Sequence, residues 1–158
     1  MRRCTTLVAV AAMALISAAP ASAKHTPEES FSVGDATLLG PVHVRGKVAD
    51  VHVRYSCTFG DHIWVSVKQS ANGEIDPSVS AEGSGFGGAA AAWWQSHRNP
   101  FTCDGKQHVA WFTVDTEEPG SRGQLQNGWG WVQFCVTEEE GEERLDAIRM
   151  EWSRVVTN

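Results

Sequence analysis

Apolar and polar side chains alternate along most of the chain after residue 35, which is typical of β-strands with one buried face. The segments 36–44 and 48–57 show this alternation, and the turn residues Gly46-Lys47 lie between them. Together they predict a hairpin in which His43 lies opposite Asp50. The alternation therefore predicts antiparallel pairing of strands that are neighbours in the sequence.

Further short strands are predicted at 63–68, 101–103, 109–114 and 128–136. The segment 144–156 fits either a strand, by its alternation, or one face of a helix. We favour the strand, because a hairpin across the acidic run 138–143 would cover an otherwise open sheet edge. The count is then seven or eight short strands without a helix. This spacing predicts an all-β fold in which residues 36–158 form an antiparallel two-sheet sandwich.

Residues 1–23 have the pattern of a secretory signal peptide: two arginines after Met1, an apolar run at 7–16, and a small-x-small site ending at Ala23. The apolar run is about half as long as the roughly 20 residues that span a membrane. We therefore predict that the signal is cleaved and that the mature chain is secreted, extracellular and not inserted in a membrane. The polar segment 24–35 is predicted to be a flexible leader.

The net negative charge of the chain disfavours some classes of partner. The chain has a net charge of −6, and removal of the two arginines of the signal makes the mature chain −8. A net negative chain without a basic stripe repels phosphate backbones and anionic lipid headgroups. We therefore expect no nucleic acid as a partner.

Three cysteines, Cys57, Cys103 and Cys135, follow the signal peptide. In an oxidising compartment two of them are expected to pair. Loop-closure entropy differs by only about half a kcal/mol between pairing Cys57 with Cys103 and pairing it with Cys135. The residues alone therefore do not choose the pair, and an exposed Cys135 thiol would allow a disulfide-linked dimer.

Seven tryptophans follow the signal peptide, and together they carry on the order of 1,400 Å² of contact surface. A soluble monomer exposes only a few hundred Å² of apolar surface in one patch, so most of these rings are expected in the core. In the last glycine-led strand, Trp129, Trp131 and Gln133 share one face, which is either buried or available as a ligand platform. Trp93 and Trp94 are further candidates for such a platform.

Motifs for catalysis and for metal or cofactor binding are not found. The glycines at 83, 85 and 88 satisfy G-x-G-x-x-G, but the strand before them and the helix after them that a dinucleotide site requires are not predicted. The chain has no G-x-S-x-G or H-E-x-x-H sequence. The histidines at 43, 52, 62, 97 and 108 are scattered and are predicted to lie on the surface. We therefore expect no catalytic residue, cofactor or metal, and a protein that is not an enzyme.

Four short segments of the chain resemble segments of known proteins: 51–57 (V-H-V-R-Y-S-C), 65–69 (V-S-V-K-Q), 102–105 (T-C-D-G) and 128–136 (G-W-G-W-V-Q-F-C-V). In these segments the chain resembles a group of small secreted actinobacterial proteins that have no assigned function. The resemblance implies an immunoglobulin-like sandwich in which Cys57 is bonded to Cys103. Members of the group often have a further cysteine pair near the later strand, where this chain has only Cys135. We expect Cys135 to be a free thiol.

We therefore expect a secreted, non-enzymatic binding or interaction module whose partner is an unknown extracellular protein or a glycan. One alternative is a glycan-binding domain that stacks sugars on an exposed tryptophan platform. Another alternative is an inhibitor of secreted proteases, in which the loop 115–123 inserts into the cleft of an enzyme.

Overall fold

The computed structural model describes residues 31–33, 35–81, 89–138 and 144–158. The predicted signal peptide 1–23 and residues 24–30 of the predicted leader lie outside the described residues, as does the glycine motif at 83–88. In the part of the chain that is described, no helix has the length and apolar character to cross a membrane.

The described residues form nine strands and one short helix, joined by turns and loops. The strands are β1 (Phe31–Val33), β2 (Asp35–Leu38), β3 (Val42–Arg45), β4 (Val48–Ser56), β5 (His62–Gln69), β6 (Ala92–Ser96), β7 (Gln107–Asp115), β8 (Gly128–Glu138) and β9 (Arg144–Thr157), and helix α1 is Pro77–Ser80. β1 and the first residue of β2 fall within the range 24–35 that the sequence predicts as leader. β9 confirms the strand predicted at 144–156, for which a helix was the alternative.

Seven of the strands close into a barrel, in the order β9-β3-β4-β7-β6-β5-β8 and back to β9. β3 runs parallel to β9, with Val42 opposite Val155, and the other neighbours in this ring are antiparallel. β2 pairs with β4, and β1 pairs with β9, outside the ring. The expected antiparallel, immunoglobulin-like two-sheet sandwich over 36–158 is therefore wrong, because the sheet is a closed barrel of mixed pairing.

The alternation of side chains leads to the wrong architecture for a physical reason. Strands in a sandwich and strands in a small barrel both bury every second side chain, so a period of two is common to both. Closure depends instead on long-range contacts, since β9 returns beside β3 in parallel and also pairs with β8. These contacts join edges that a sandwich would leave open.

The barrel interior is filled by one row of side chains from each strand. Its large buried members are aromatic or β-branched and include Val42, Val51, Val53, Tyr55, Ile63, Val65, Val67, Trp94, Phe112, Val114, Val132, Phe134, Val136 and Val155. The rings of Tyr55, Phe112 and Phe134 pack with centroids between 5.1 and 5.6 Å apart. Gly130 lets β8 approach its neighbours closely, because an added Cβ would lie 2.8 Å from a methyl carbon of Val155.

A disulfide joins Cys57, directly after β4, to Cys103, in the segment before β7. This is the pairing that the resemblance implies. Cys135 lies on β8 and is 5% exposed. A disulfide to a second chain through Cys135 would therefore require this buried side chain to become accessible.

A β-bulge aims Asp146 at the turn that follows the disulfide. The register of β8 and β9 shifts between Val136 and Thr137, which makes Asp146 the extra residue of β9. Its carboxylate accepts hydrogen bonds from the backbone N–H groups of residues 58–60 at 2.6 to 2.9 Å. The two disulfide sulfurs lie near this carboxylate, but a disulfide offers no thiolate to a metal ion. The group is therefore a structural anchor.

Candidate functional site

Four of the five predicted platform residues come together on the outer surface of three neighbouring strands. Trp131 on β8 and Trp93 on β6 both lie opposite Lys68 of β5, which runs between them. Trp129 and Gln133 are two residues away from Trp131 on either side, so they share its face of β8. The fold thus joins two tryptophan segments that are well separated in the sequence.

The fifth residue, Trp94, faces the opposite way. It lies in the barrel interior with 1% of its surface exposed, and its indole N–H donates to the carbonyl oxygen of Gly123 at 3.1 Å. Consecutive residues of a strand point to opposite faces, so Trp93 and Trp94 do not line one platform. Trp94 is therefore a core residue, and the prediction that it lines a ligand platform is wrong.

The shared surface is itself covered. Trp131 is 6% exposed and packs edge-to-face on Trp152 of β9, with ring centroids 5.4 Å apart. Val79 of α1 and Ala90 belong to the same hydrophobic cluster. Gln133 is buried beside it. In this arrangement the predicted platform around Trp131 is a second hydrophobic core.

Cations lie over the two remaining platform rings. The Trp93 ring has Lys68 at 5.3 Å and Arg122 at 5.4 Å from its centroid, and the Trp129 ring has Arg154 at 5.1 Å. Burial lowers the pKa of Lys68, and the nearby charge of Arg122 lowers it further. Part of each ring surface is therefore already occupied by a cation–π contact.

The loop 115–123, predicted to insert into a protease cleft, is bonded to the barrel along much of its length. The side chain of Gln95 donates to the carbonyl oxygen of Pro119 at 2.7 Å. Arg122 and Trp93 exchange two backbone hydrogen bonds, at 2.8 and 2.9 Å. A loop that enters an enzyme cleft has to offer its backbone to the enzyme. The geometry of this loop therefore does not favour the inhibitor hypothesis.

An exposed aromatic ring lies instead on the outer face of β4 and β7. Trp111 of β7 has 54% of its surface exposed. Its ring stacks on His52 of β4, with centroids 4.1 Å apart and planes inclined by 5°. The two residues lie directly opposite each other in the antiparallel register, where side chains are in contact. The stack holds the indole in one orientation and leaves much of its surface in solvent.

A groove of about 400 Å³, lined by both polar and apolar atoms, begins at this ring. It is lined by His43, Arg45, Asp50, Trp111 and Asn158. His43 lies opposite Asp50, which confirms the register predicted from the turn at Gly46-Lys47. Arg45 donates a hydrogen bond to Asp50, yet its side chain remains 65% exposed. The groove thus combines a flat apolar ring with an arginine donor, a carboxylate acceptor and an imidazole.

Trp111 was not singled out from the sequence, because both faces of its strand are apolar. Trp111 and Phe112 point to opposite sides of β7, and alternation does not show which of them is buried. The signal that could have shown Trp111 to be exposed lies in the partner strand, β4. His52 belongs to the polar row of β4, and a residue opposite it shares its outward face.

No protein-family model and no curated protein matches the chain. Among solved structures, the crystal structure of the C-terminal domain of wzt matches 84% of this chain and 81% of that chain, at 11% sequence identity and with a TM-score of 0.42. A likeness at this TM-score carries no argument about function. The function of this chain has to be argued from the geometry of its own sites.

Proposed function

We propose that this chain is a secreted, non-enzymatic binding module that holds a glycan on the Trp111 face. The observation that carries the proposal is the exposed Trp111 ring, which stacks on His52 and is continuous with a groove that holds several polar side chains. Sugar stacking is thus proposed for Trp111, in place of Trp129 and Trp131.

The apolar part of the contact is a sugar face on the indole ring. A pyranose has a face of C–H groups and an edge of hydroxyls, and the indole face is apolar with a negative π-cloud that attracts C–H groups. A ligand that covers about half of the exposed Trp111 surface removes roughly 60 Å² from water, which contributes about 1.5 kcal/mol. This corresponds to about tenfold in the dissociation constant.

The polar part of the contact comes from the groove. The guanidinium of Arg45 has five N–H donors, more than its bond to Asp50 uses. The Asp50 carboxylate can accept from a hydroxyl, and the His43 ring lies 6.1 Å from the Trp111 ring. A few directional polar groups beside an aromatic plane fix the orientation of a ligand. The groove therefore suits the hydroxyl edge of a sugar whose C–H face lies on Trp111.

Calorimetry and affinity electrophoresis with soluble cell-wall polysaccharides test the proposal. The wild-type chain is expected to bind at least one of them. Trp111→Ala is expected to weaken this binding by about tenfold or more, because the stacking surface is lost. Trp111→Phe keeps an aromatic face and is expected to lose less.

Val109→Ala is the matched control. Val109 is also exposed on β7, two residues from Trp111, but it does not line the groove. The control is expected to bind as the wild type does. Equal binding by the wild type and a folded Trp111→Ala variant would contradict the proposal, as would a wild type that binds no polysaccharide.

A further inference from the structure

Two histidines that are far apart in the sequence meet on the outer surface of β5 and β6. His62 is the first residue of β5, and His97 directly follows β6. Val65 lies opposite Ser96 in this antiparallel pair, so continuing the register by one residue brings His97 beside Trp64. The rings of His62 and His97 have centroids 5.4 Å apart. The Trp64 ring is inclined by only 14° to that of His97, at 6.2 Å.

A carboxylate lies against one nitrogen of His97. Nδ1 of His97 is 3.4 Å from Oε1 of Glu118, and Oε2 of Glu118 is 2.7 Å from Nε of Arg98. Arg98 also binds Asp115 at 3.0 Å, so its charge is balanced by two carboxylates. A carboxylate beside Nδ1 keeps the proton on that nitrogen and leaves the lone pair of Nε2 for a cation.

The distance between the two rings suits one shared metal ion. Imidazole nitrogens bind zinc at about 2.0–2.1 Å, which places the centroids of two rings on one ion about 5 Å apart. The observed 5.4 Å is close to that value. The His97 side chain is 40% exposed, so an ion can reach the pair from solvent.

We propose that His62 and His97 bind a divalent zinc ion at this surface, with Glu118 positioning His97. Imidazole is a ligand that suits zinc, and a carboxylate on the far nitrogen of a ligating histidine orients the ring. Two protein ligands leave coordination positions for water or for a donor atom of another molecule. The site uses other strands than the Trp111 groove and does not depend on glycan binding.

Calorimetric titration of the purified chain with zinc chloride measures the site directly. The wild type is expected to bind zinc, and His62→Gln and His97→Gln are each expected to weaken the affinity at least about tenfold. Glu118→Gln is expected to weaken it by about 10- to 100-fold. His108→Gln, which changes a histidine on β7, is the control and is expected to leave the affinity unchanged. Tryptophan fluorescence, to which Trp64 beside His97 contributes, should change on zinc addition in the wild type and not in the two histidine variants.

Nitrogen NMR of the metal-free chain separates a positioning role of Glu118 from a structural one. His97 is expected to show the tautomer with its proton on Nδ1 in the wild type, and a mixture of both tautomers in Glu118→Gln. The site is overturned if the wild type binds no zinc at millimolar concentration, or if His62→Gln and His97→Gln bind it as tightly as the wild type. An unchanged His97 tautomer in Glu118→Gln overturns the role of Glu118.

Discussion

Replacing Asp146 by alanine removes the acceptor on which the turn at 58–60 depends. The Asp146 carboxylate accepts from the three backbone N–H groups of this turn at 2.6, 2.9 and 2.9 Å. The turn directly follows Cys57 and leads from β4 into β5. In Asp146→Ala, all three backbone N–H donors lose the carboxylate that they share as acceptor.

The expected cost follows from the number of donors and their exposure. A hydrogen bond to a charged group contributes about 1.5–3 kcal/mol. Thr58 is exposed, so its N–H can bind water instead, whereas Phe59 and Gly60 are half-buried. Counting these two donors at the lower bound gives a loss of about 3 kcal/mol. In a domain with a total stability of about 5–15 kcal/mol, this loss lowers the melting temperature by roughly 10 °C.

Urea and thermal unfolding without reductant, followed by circular dichroism, measure this cost. Asp35→Ala is the matched control, because Asp35 is exposed and accepts a hydrogen bond from the Ser56 hydroxyl at 3.0 Å. Its expected cost is below about 0.5 kcal/mol. Asp146→Asn keeps an oxygen acceptor without the charge and is expected to fall between the two. A loss of less than about 1 kcal/mol in Asp146→Ala would refute the reasoning.

Three further predictions concern single residues elsewhere in the described chain. The hydrogen bond from His108 lowers the pKa of Asp104, so its contribution to stability is present above the ordinary aspartate pKa and is lost as pH falls through the lowered value. In acid unfolding, Asp104→Asn should not show this pH-dependent loss of stability. Coincident curves of stability against pH for the variant and the wild type would contradict the prediction. Burial lowers the pKa of Lys68, so its charge destabilises the folded state at neutral pH by an amount that falls as pH rises toward about 10. The urea stability of the wild type should therefore gain on that of Lys68→Met between pH 7 and about 10, and a difference that stays constant with pH would show the reasoning to be wrong. Gly123→Ala places a Cβ 2.1 Å from the carbonyl oxygen of Ala91 at a φ of +68°, and should lower the free energy of unfolding by about 2 kcal/mol or more, which an unchanged melting temperature would disprove.

Local features of this fold are predictable from the sequence because they depend on near neighbours. The first hairpin is an example: Gly46 has a positive φ, and alternation on either side of it sets His43 opposite Asp50. Barrel closure is not predictable in this way. The parallel pairing of β3 with β9 joins segments from the two ends of the described chain, and no local pattern encodes which edges meet.

Long-range packing also explains why the sequence predicts a platform around Trp131 and does not identify the exposed ring of Trp111. Alternation places Trp131 and Gln133 on one face, but whether that face is covered depends on α1 and β9, which pack on it. The sequence contains seven tryptophans, and their combined surface predicts that most are buried. The packing of the described residues is needed to show that Trp111 is the exposed tryptophan, with 54% of its surface in solvent.

The most direct test of the proposed glycan site is the indole N–H spectrum of the chain during titration with a polysaccharide fragment that it binds. The seven tryptophans supply the indole signals, and the Trp111 signal is assigned by its absence in Trp111→Phe. The account predicts that the largest shift falls on Trp111, while the signal of Trp94 inside the barrel stays unchanged. A Trp111 signal that does not move while Trp129 or Trp131 shifts would contradict it.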